Sequence, residues 1–462
     1  MPLSTAIRTP VRGHTLPETL VQDAPAQQAA RTQIGIVVTG DSHLSAYLPR
    51  LTPPRRAERR TYLRRGFEAA VDYAIEHHAR LFLQLGDLFD TPSPSNEDRA
   101  FVASCLERLR SVGILAAGIS GNHDTPRMRT EHGGEAPQAV YAASGGLIYF
   151  PEQHILRPRL IEVAGLRLAL GGLTNDPVAA PGSDPLVDAQ IEDPGGILTQ
   201  ADAGILMLHA GLEGLCFPHE GERIVSRASL EALPAALSVI VAGHIHRYAF
   251  EKTHGRTLIV SGATERMEFG MASGSAGFVW LELGEQVRAR HITIDEQPRA
   301  DVVVSTSHLW PVTLPAATEA QAPTGSLWQN SPSGPSPLDR LKARLAEFCT
   351  PETMVRLNLA GPLTLDQYHE LALREILLYG NERAFSLELD TGGLQLIDTR
   401  SRSPMQGESV GPVSPVREVR RLVEERLDTT IHGDPDWAEN QRAGAELLIA
   451  RLRGTGESEA GS

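Results

Sequence analysis

Leu81-Phe82-Leu83-Gln84-Leu85-Gly86-Asp87-Leu88-Phe89-Asp90 is the stretch on which the fold turns. Its first five residues form a short, nearly continuous apolar run stopped by glycine. That is how a parallel strand covered on both faces reads. In such sheets ligands sit beyond the carboxyl ends of the strands, where Asp87 and Asp90 fall. A carboxylate taken out of water without compensation is costly, and coordination to a cation supplies that compensation.

The same arrangement recurs outward from this run. Residues 34–40 form a first strand ending at Asp41-Ser42-His43, and Ile114–Ile119 a third ending at Ser120-Gly121-Asn122-His123-Asp124. Ile205–Leu208 stops at His209, and Leu237–Val241 at Gly243-His244-Ile245-His246. Between the first three strands lie two helices. One begins near Arg60 and carries the stripe Leu63, Phe67, Ala70, Val71, Ala74 and Ile75; the other crosses Asp98–Arg110. This β-α-β-α-β order is the grammar of a layered α/β domain. A hairpin around Gly165 and late strands Thr257–Val260, Gly277–Leu283 and Val287–Ile294 complete it.

Composition shifts after residue 296. Asp301–Ser305 reads as a strand, and residues 311–337, rich in Pro, Ser, Thr, Ala and Gly, as a long loop. Leu338–Phe348 (helix), Met354–Leu359 (strand), Leu365–Leu378 (helix) and Ala384–Leu389 (strand) then suggest a second, smaller α/β domain. The expected division is a flexible N-terminal extension (1–33), a catalytic domain (34–296), the small domain (297–400), a linker (401–415), amphipathic helices (416–452) and a disordered tail (453–462).

Composition narrows the function. A net charge of −14 argues against a protein that coats nucleic acid, so any polyanion site must be local. All but two of the 43 basic residues are arginines, and seven of them crowd Arg50–Arg65, directly after the Asp41/His43 loop. Arginine grips phosphate in a bidentate fork. Arg55, Arg56, Arg59 and Arg60 are therefore candidate substrate contacts, against the plainer reading of a solvated helix face. Three scattered cysteines fit a reducing cytoplasm and no disulfide frame. No apolar run approaches the roughly 18 residues that a membrane span needs, and the N-terminus lacks an apolar signal region.

Asp41, His43, Asp87, Asn122, His209, His244 and His246 make a mixed set of carboxylate, amide and imidazole. Such a set suits manganese, iron or zinc, and the absence of thiolate argues against structural zinc. Seven ligands exceed what one tetrahedral ion takes; they divide between two if Asp87 bridges them. Two divalent ions about 3.5–4 Å apart clamp the attacking and leaving oxygens of phosphoryl hydrolysis.

These clusters stand in the order and rough spacing of the calcineurin-like metallophosphoesterases. Within them, Gly86–Asp90 followed by Pro92-Ser93, Gly121–Asp124 and Ser261-Gly262-Ala263-Thr264-Glu265-Arg266 resemble the SbcD-type DNA-repair nucleases. The resemblance covers residues 34–295 and is weaker over the small domain. It implies a metallophosphoesterase β-sandwich flanked by helices, with a smaller C-terminal α/β capping domain. It implies one ion, most simply Mn2+, on Asp41, His43, Asp87 and His246, and another on Asp87, Asn122, His209 and His244. His123 would be the catalytic histidine and Asp90 the acid that orients it, with helix capping as the plainer alternative for Asp90; Asp124 would support the site or cap its turn. Implied partners are DNA, an SbcC-type ATPase gripped by the C-terminal helices, and a second copy of the chain. Alternatives within reach of the same residues are a phosphoprotein phosphatase, a cyclic-nucleotide phosphodiesterase, or a silent DNA-binding scaffold.

Overall fold

The computed structural model describes residues 33–128, 134–216, 222–269, 274–310 and 334–397. The expectations for residues 1–32, for 311–333 within the long loop, and for everything beyond 397, the C-terminal helices included, lie outside them.

Three strands, β1 (Ile34–Thr39), β2 (Leu81–Leu85) and β3 (Leu115–Ile119), run parallel side by side. Helices α1 (Pro53–Glu76) and α2 (Asn96–Ser111) make the crossovers. Gly277–Leu283 pairs antiparallel with β1, Arg288–Thr293 lies beyond it, and Ile148–Tyr149 closes the other edge. A second six-stranded sheet follows the order Ala249–Thr253, Arg256–Val260, Val239–Gly243, Ala203–His209, Leu166–Gly172, Arg159–Val163.

The two sheets pack face to face. Leu81, Leu83 and Leu85 of β2 enter a shared core with Ile205, Met207, Val239 and Val241, while Phe82 turns the other way and joins Phe67 and Leu63 of α1. Every position of β2 is buried because one face meets a sheet and the other a helix layer. Its single polar side chain, Gln84, is satisfied locally: Nε2 donates to Gly86 O at 2.8 Å and Oε1 accepts from Gly86 N at 3.3 Å. The turn that carries Asp87 is thereby stitched to the strand.

Two helix boundaries depart from expectation. α1 begins at Pro53 rather than near Arg60, because prolines in a first helical turn lack only N–H groups that would have had no partner there. The single helix expected over Leu365–Leu378 is two, Leu365–Glu370 and Leu373–Arg383, broken at Ala372 (φ 47°). The break leaves Leu371 fully buried in the core beneath. That core belongs to a third, all-parallel sheet (Arg299–Ser305, Met354–Leu363, Ser386–Leu396) covered by Leu341 and Leu345 of the helix Pro337–Ala346 and by Ile376. The edge strand Ala249–Thr253 was not foreseen. Among the described residues no helix is long and apolar enough to cross a membrane.

Candidate metal centre

Each expected ligand follows a parallel strand at its carboxyl end. Asp41 and His43 leave β1, Asp87 leaves β2, and Asn122 leaves β3; His209 ends its strand, and His244 and His246 follow Val239–Gly243. Because β1–β3 are mutually parallel, as are Ala203–His209 and Val239–Gly243, these ends gather at one edge of the sandwich. Asp41 N donates to Gly86 O at 3.1 Å and His43 N to Asp87 O at 3.0 Å, which locks the first two loops together.

The tips meet closely. Ligating atoms of Asp41, His43 and His246 lie within 4.8 Å of one another, as do those of Asp41, Asp87 and His209 and those of His43, Asp87 and His123. His43 Nε2 faces His246 Nε2 at 3.1 Å, His209 Nε2 is 3.2 Å from Asp87 Oδ2, and Asn122 Oδ1 lies 3.0 Å from both His209 Nε2 and His244 Nδ1. Asp41, His43, Asp87 and His244 all hold positive φ, between 46° and 86°. Non-glycine residues adopt that region at a cost and cluster there at functional sites. The glycines beside them are obligatory: a Cβ on Gly121 would stand 2.2 Å from Asp87 Oδ1, and one on Gly86 2.4 Å from His209 Nδ1.

Electrostatics fit a cation. Burial pushes the Asp41 carboxyl up to about 7 although His209 and His43 oppose it. Burial also works against ionised Asp87, but His209 and His43 outweigh it and hold that carboxyl well below the usual range. Desolvation lowers His244 to about 4 and His246 to about 3, so both rings are neutral, as ligation requires. His209 is opposed by burial yet raised to about 10 by Asp87. His209 Nδ1 donates to Leu85 O at 2.7 Å and His43 Nδ1 to Asp90 Oδ1 at 2.9 Å, so each turns its Nε2 to the cluster. Buried carboxylates, an amide oxygen and imidazole nitrogens converging without thiolate are the donors that divalent transition ions prefer.

Asp90 Oδ1 also lies 3.1 Å from His123 Nδ1. It does not cap α2, whose N-cap is Ser95, accepting from Asp98 N at 3.1 Å. The hydrogen bond to Asp90 raises His123 to about 9, while Asp90, despite burial, is held at about 2. Asp124 caps its own turn by accepting from Gly121 N at 2.7 Å and reaches across to Leu88 N at 3.0 Å.

The arginines divide. Arg59 must be withdrawn as a substrate contact. It is 1% exposed, donates to Glu265 Oε1 at 2.7 Å, Gln297 Oε1 at 2.9 Å and Arg266 O at 2.7 Å, and shares the inward face of α1 with Leu63 and Phe67. Arg55 leans over Phe385 and bonds Glu58, Arg56 lies 4.9 Å over the exposed Tyr47 ring, and Arg60 is half-buried. Two supports come from Ser261–Arg266, a segment that the sequence marked by resemblance without assigning it a contact here. Thr264 Oγ1 donates to Ser42 Oγ at 3.0 Å, between Asp41 and His43, and Glu265 takes up the charge of Arg59.

The model of the calcineurin-like phosphoesterase family matches residues 34–248. A protein of Saccharolobus solfataricus named DNA double-strand break repair protein Mre11 is 26% identical over 204 residues, 44% of this chain and 48% of its own. Its namesake in Sulfurisphaera tokodaii is 26% identical over 249 residues, 53% and 59% of the two chains. A metallophosphoesterase of Bacillus subtilis is 41% identical over 54 residues, 12% of this chain and 13% of its own. The chain spans about half the length of the Mre11 relatives. Residues 34–248, which carry the strands and loops of this site, form a calcineurin-like phosphoesterase domain.

Proposed function

We propose that the chain is a divalent-metal-dependent DNA phosphodiesterase, an exonuclease or endonuclease of double-strand-break repair of the SbcD type. The observation that carries it is the convergence of the seven candidate ligands beside the His123–Asp90 pair. Relatives named for DNA double-strand break repair support DNA as the substrate.

Asp41, His43, Asp87 and His246 would hold one ion, and Asp87, Asn122, His209 and His244 the other, with manganese the proposed metal. When bound, two such ions supply Lewis acidity toward the phosphate oxygens and toward water. The protein's own part is proton placement. Asp90 stays a carboxylate and keeps His123 protonated near neutrality, so that His123 can give its proton to the departing oxygen of the phosphodiester. Asp90 also sets the His43 tautomer, so one carboxylate serves ligand and acid alike.

Arg56, with Tyr47 beneath it, Arg55 and Arg60 are the proposed contacts to the DNA backbone. The sheet built on Arg299–Ser305 is the proposed capping domain, joined to α1 through Arg59–Gln297. Binding of an SbcC-type ATPase by residues 416–452, pairing with a second copy and a cytoplasmic setting complete the proposal; loss of ATPase pull-down on truncation near residue 410 tests the first of these.

The decisive experiment is cleavage of end-labelled duplex and single-stranded DNA, beside a phosphopeptide, with and without manganese. Manganese-dependent DNA cleavage supports the reading; turnover of the phosphopeptide alone replaces it with a phosphatase.

A further inference from the structure

We propose that Glu222 is a positioning residue of the metal centre, holding the His244 imidazole so that Nδ1 faces the ligand cluster. This rests on the two-ion reading above. Glu222 Oε1 lies 3.2 Å from His244 Nε2, while His244 Nδ1 lies 3.0 Å from Asn122 Oδ1. A carboxylate is an acceptor only, so the nitrogen facing it carries the proton. Nδ1 is left with its lone pair turned toward Asn122, itself presenting an acceptor oxygen. Two acceptors at that distance are reconciled by a cation near both.

Two of the other candidate ligand rings follow the same rule. His43 is pinned at Nδ1 by Asp90 and His209 at Nδ1 by Leu85 O, each at the nitrogen turned away from the cluster. Glu222 stands in the corresponding place for His244. Its side chain is 9% exposed, so the contact is not a screened surface pair. Backbone pairing delivers it there. Gly211 N donates to Arg223 O at 3.0 Å, and Gly211–Leu212 pairs in parallel with Ile224–Val225. The residue after Glu222 is thus tied to the chain leaving His209, and the carboxylate is held at the His244 ring without depending on its own rotamer alone. No motif announces Glu222, which lies outside every strand-end cluster.

Manganese titrated calorimetrically into the metal-free full chain and into Glu222→Leu and Glu222→Gln tests this, with melting temperatures taken in chelator. Outer partners of ligand imidazoles are worth about 10–100-fold in metal affinity. Glu222→Leu is expected to weaken one of the two ions by that factor and leave the other unchanged. Glu222→Gln, which keeps an acceptor oxygen, is expected to recover most of the loss. If Glu222→Leu binds both ions as the parent does, the proposal falls. Equal weakening of both ions with a lowered metal-free melting temperature assigns Glu222 to scaffolding and overturns it too. A parent that takes up no ion removes the two-ion reading instead.

Discussion

Asp87 is held from three sides: it accepts from His123 N at 2.8 Å, lies 3.2 Å from His209 Nε2 and 3.9 Å from His43 Nε2, and does so on a backbone at φ 48°. As the group shared between both proposed ions, its replacement in Asp87→Ala should abolish calorimetric uptake of both. His123→Ala should behave in the opposite way. Metal uptake stays, and kcat for DNA cleavage falls about 10²–10⁴-fold, the usual worth of a placed general acid. The arginines of α1 separate by the same logic of burial. Arg59→Leu leaves Glu265 buried and unpaired and should cost about 3–5 kcal/mol in urea unfolding. Arg56→Ala should shift stability by less than about 0.5 kcal/mol while weakening DNA binding and flattening its salt dependence. An unchanged salt slope would remove Arg56 from the proposed DNA surface.

Between elements, α1 does more than cover a sheet. It approaches the segment Ser261–Arg266 so closely that a Cβ on Gly66 would stand 2.2 Å from Thr264 O. Thr264 in turn reaches Ser42, and Arg59, about two turns from Gly66, locks Glu265 and Gln297. The helix is therefore a strut from the small sheet to the Asp41/His43 loop. Gly66→Ala should push it outward, costing about 1–3 kcal/mol as overpacking does, read as a lowered melting temperature. Manganese affinity should fall with it, because the displaced Thr264 no longer steadies Ser42.

At the scale of the molecule, folding and metal binding are linked. Ions that bind only the folded chain should add about 2.7 kcal/mol at a hundredfold excess over Kd, seen as a melting temperature that climbs with manganese. The pH dependence has a definite sign. Without metal, burial holds Asp41 near 7 and Asp87 keeps His209 charged up to about 10, so neutral solution leaves protons on ligands. Metal must displace them, and apparent affinity should fall as pH drops from about 8 to 6, tenfold per unit for each proton displaced. A pH-independent isotherm would contradict this. The strand-end clusters were legible in the sequence because each group of candidate ligands follows on a buried run, with a glycine stop as a local signal at all of them but His209. The parallel order carries those ends to one edge whatever the details of packing. Other features were decided by tertiary structure alone: Arg59 turned inward, Asp90 serving two histidines, the helix broken at Ala372, Glu222 against His244. A charged side chain reads the same on either face of a helix, and its partner is settled by which surface folds against it, a relation between residues far apart in the chain.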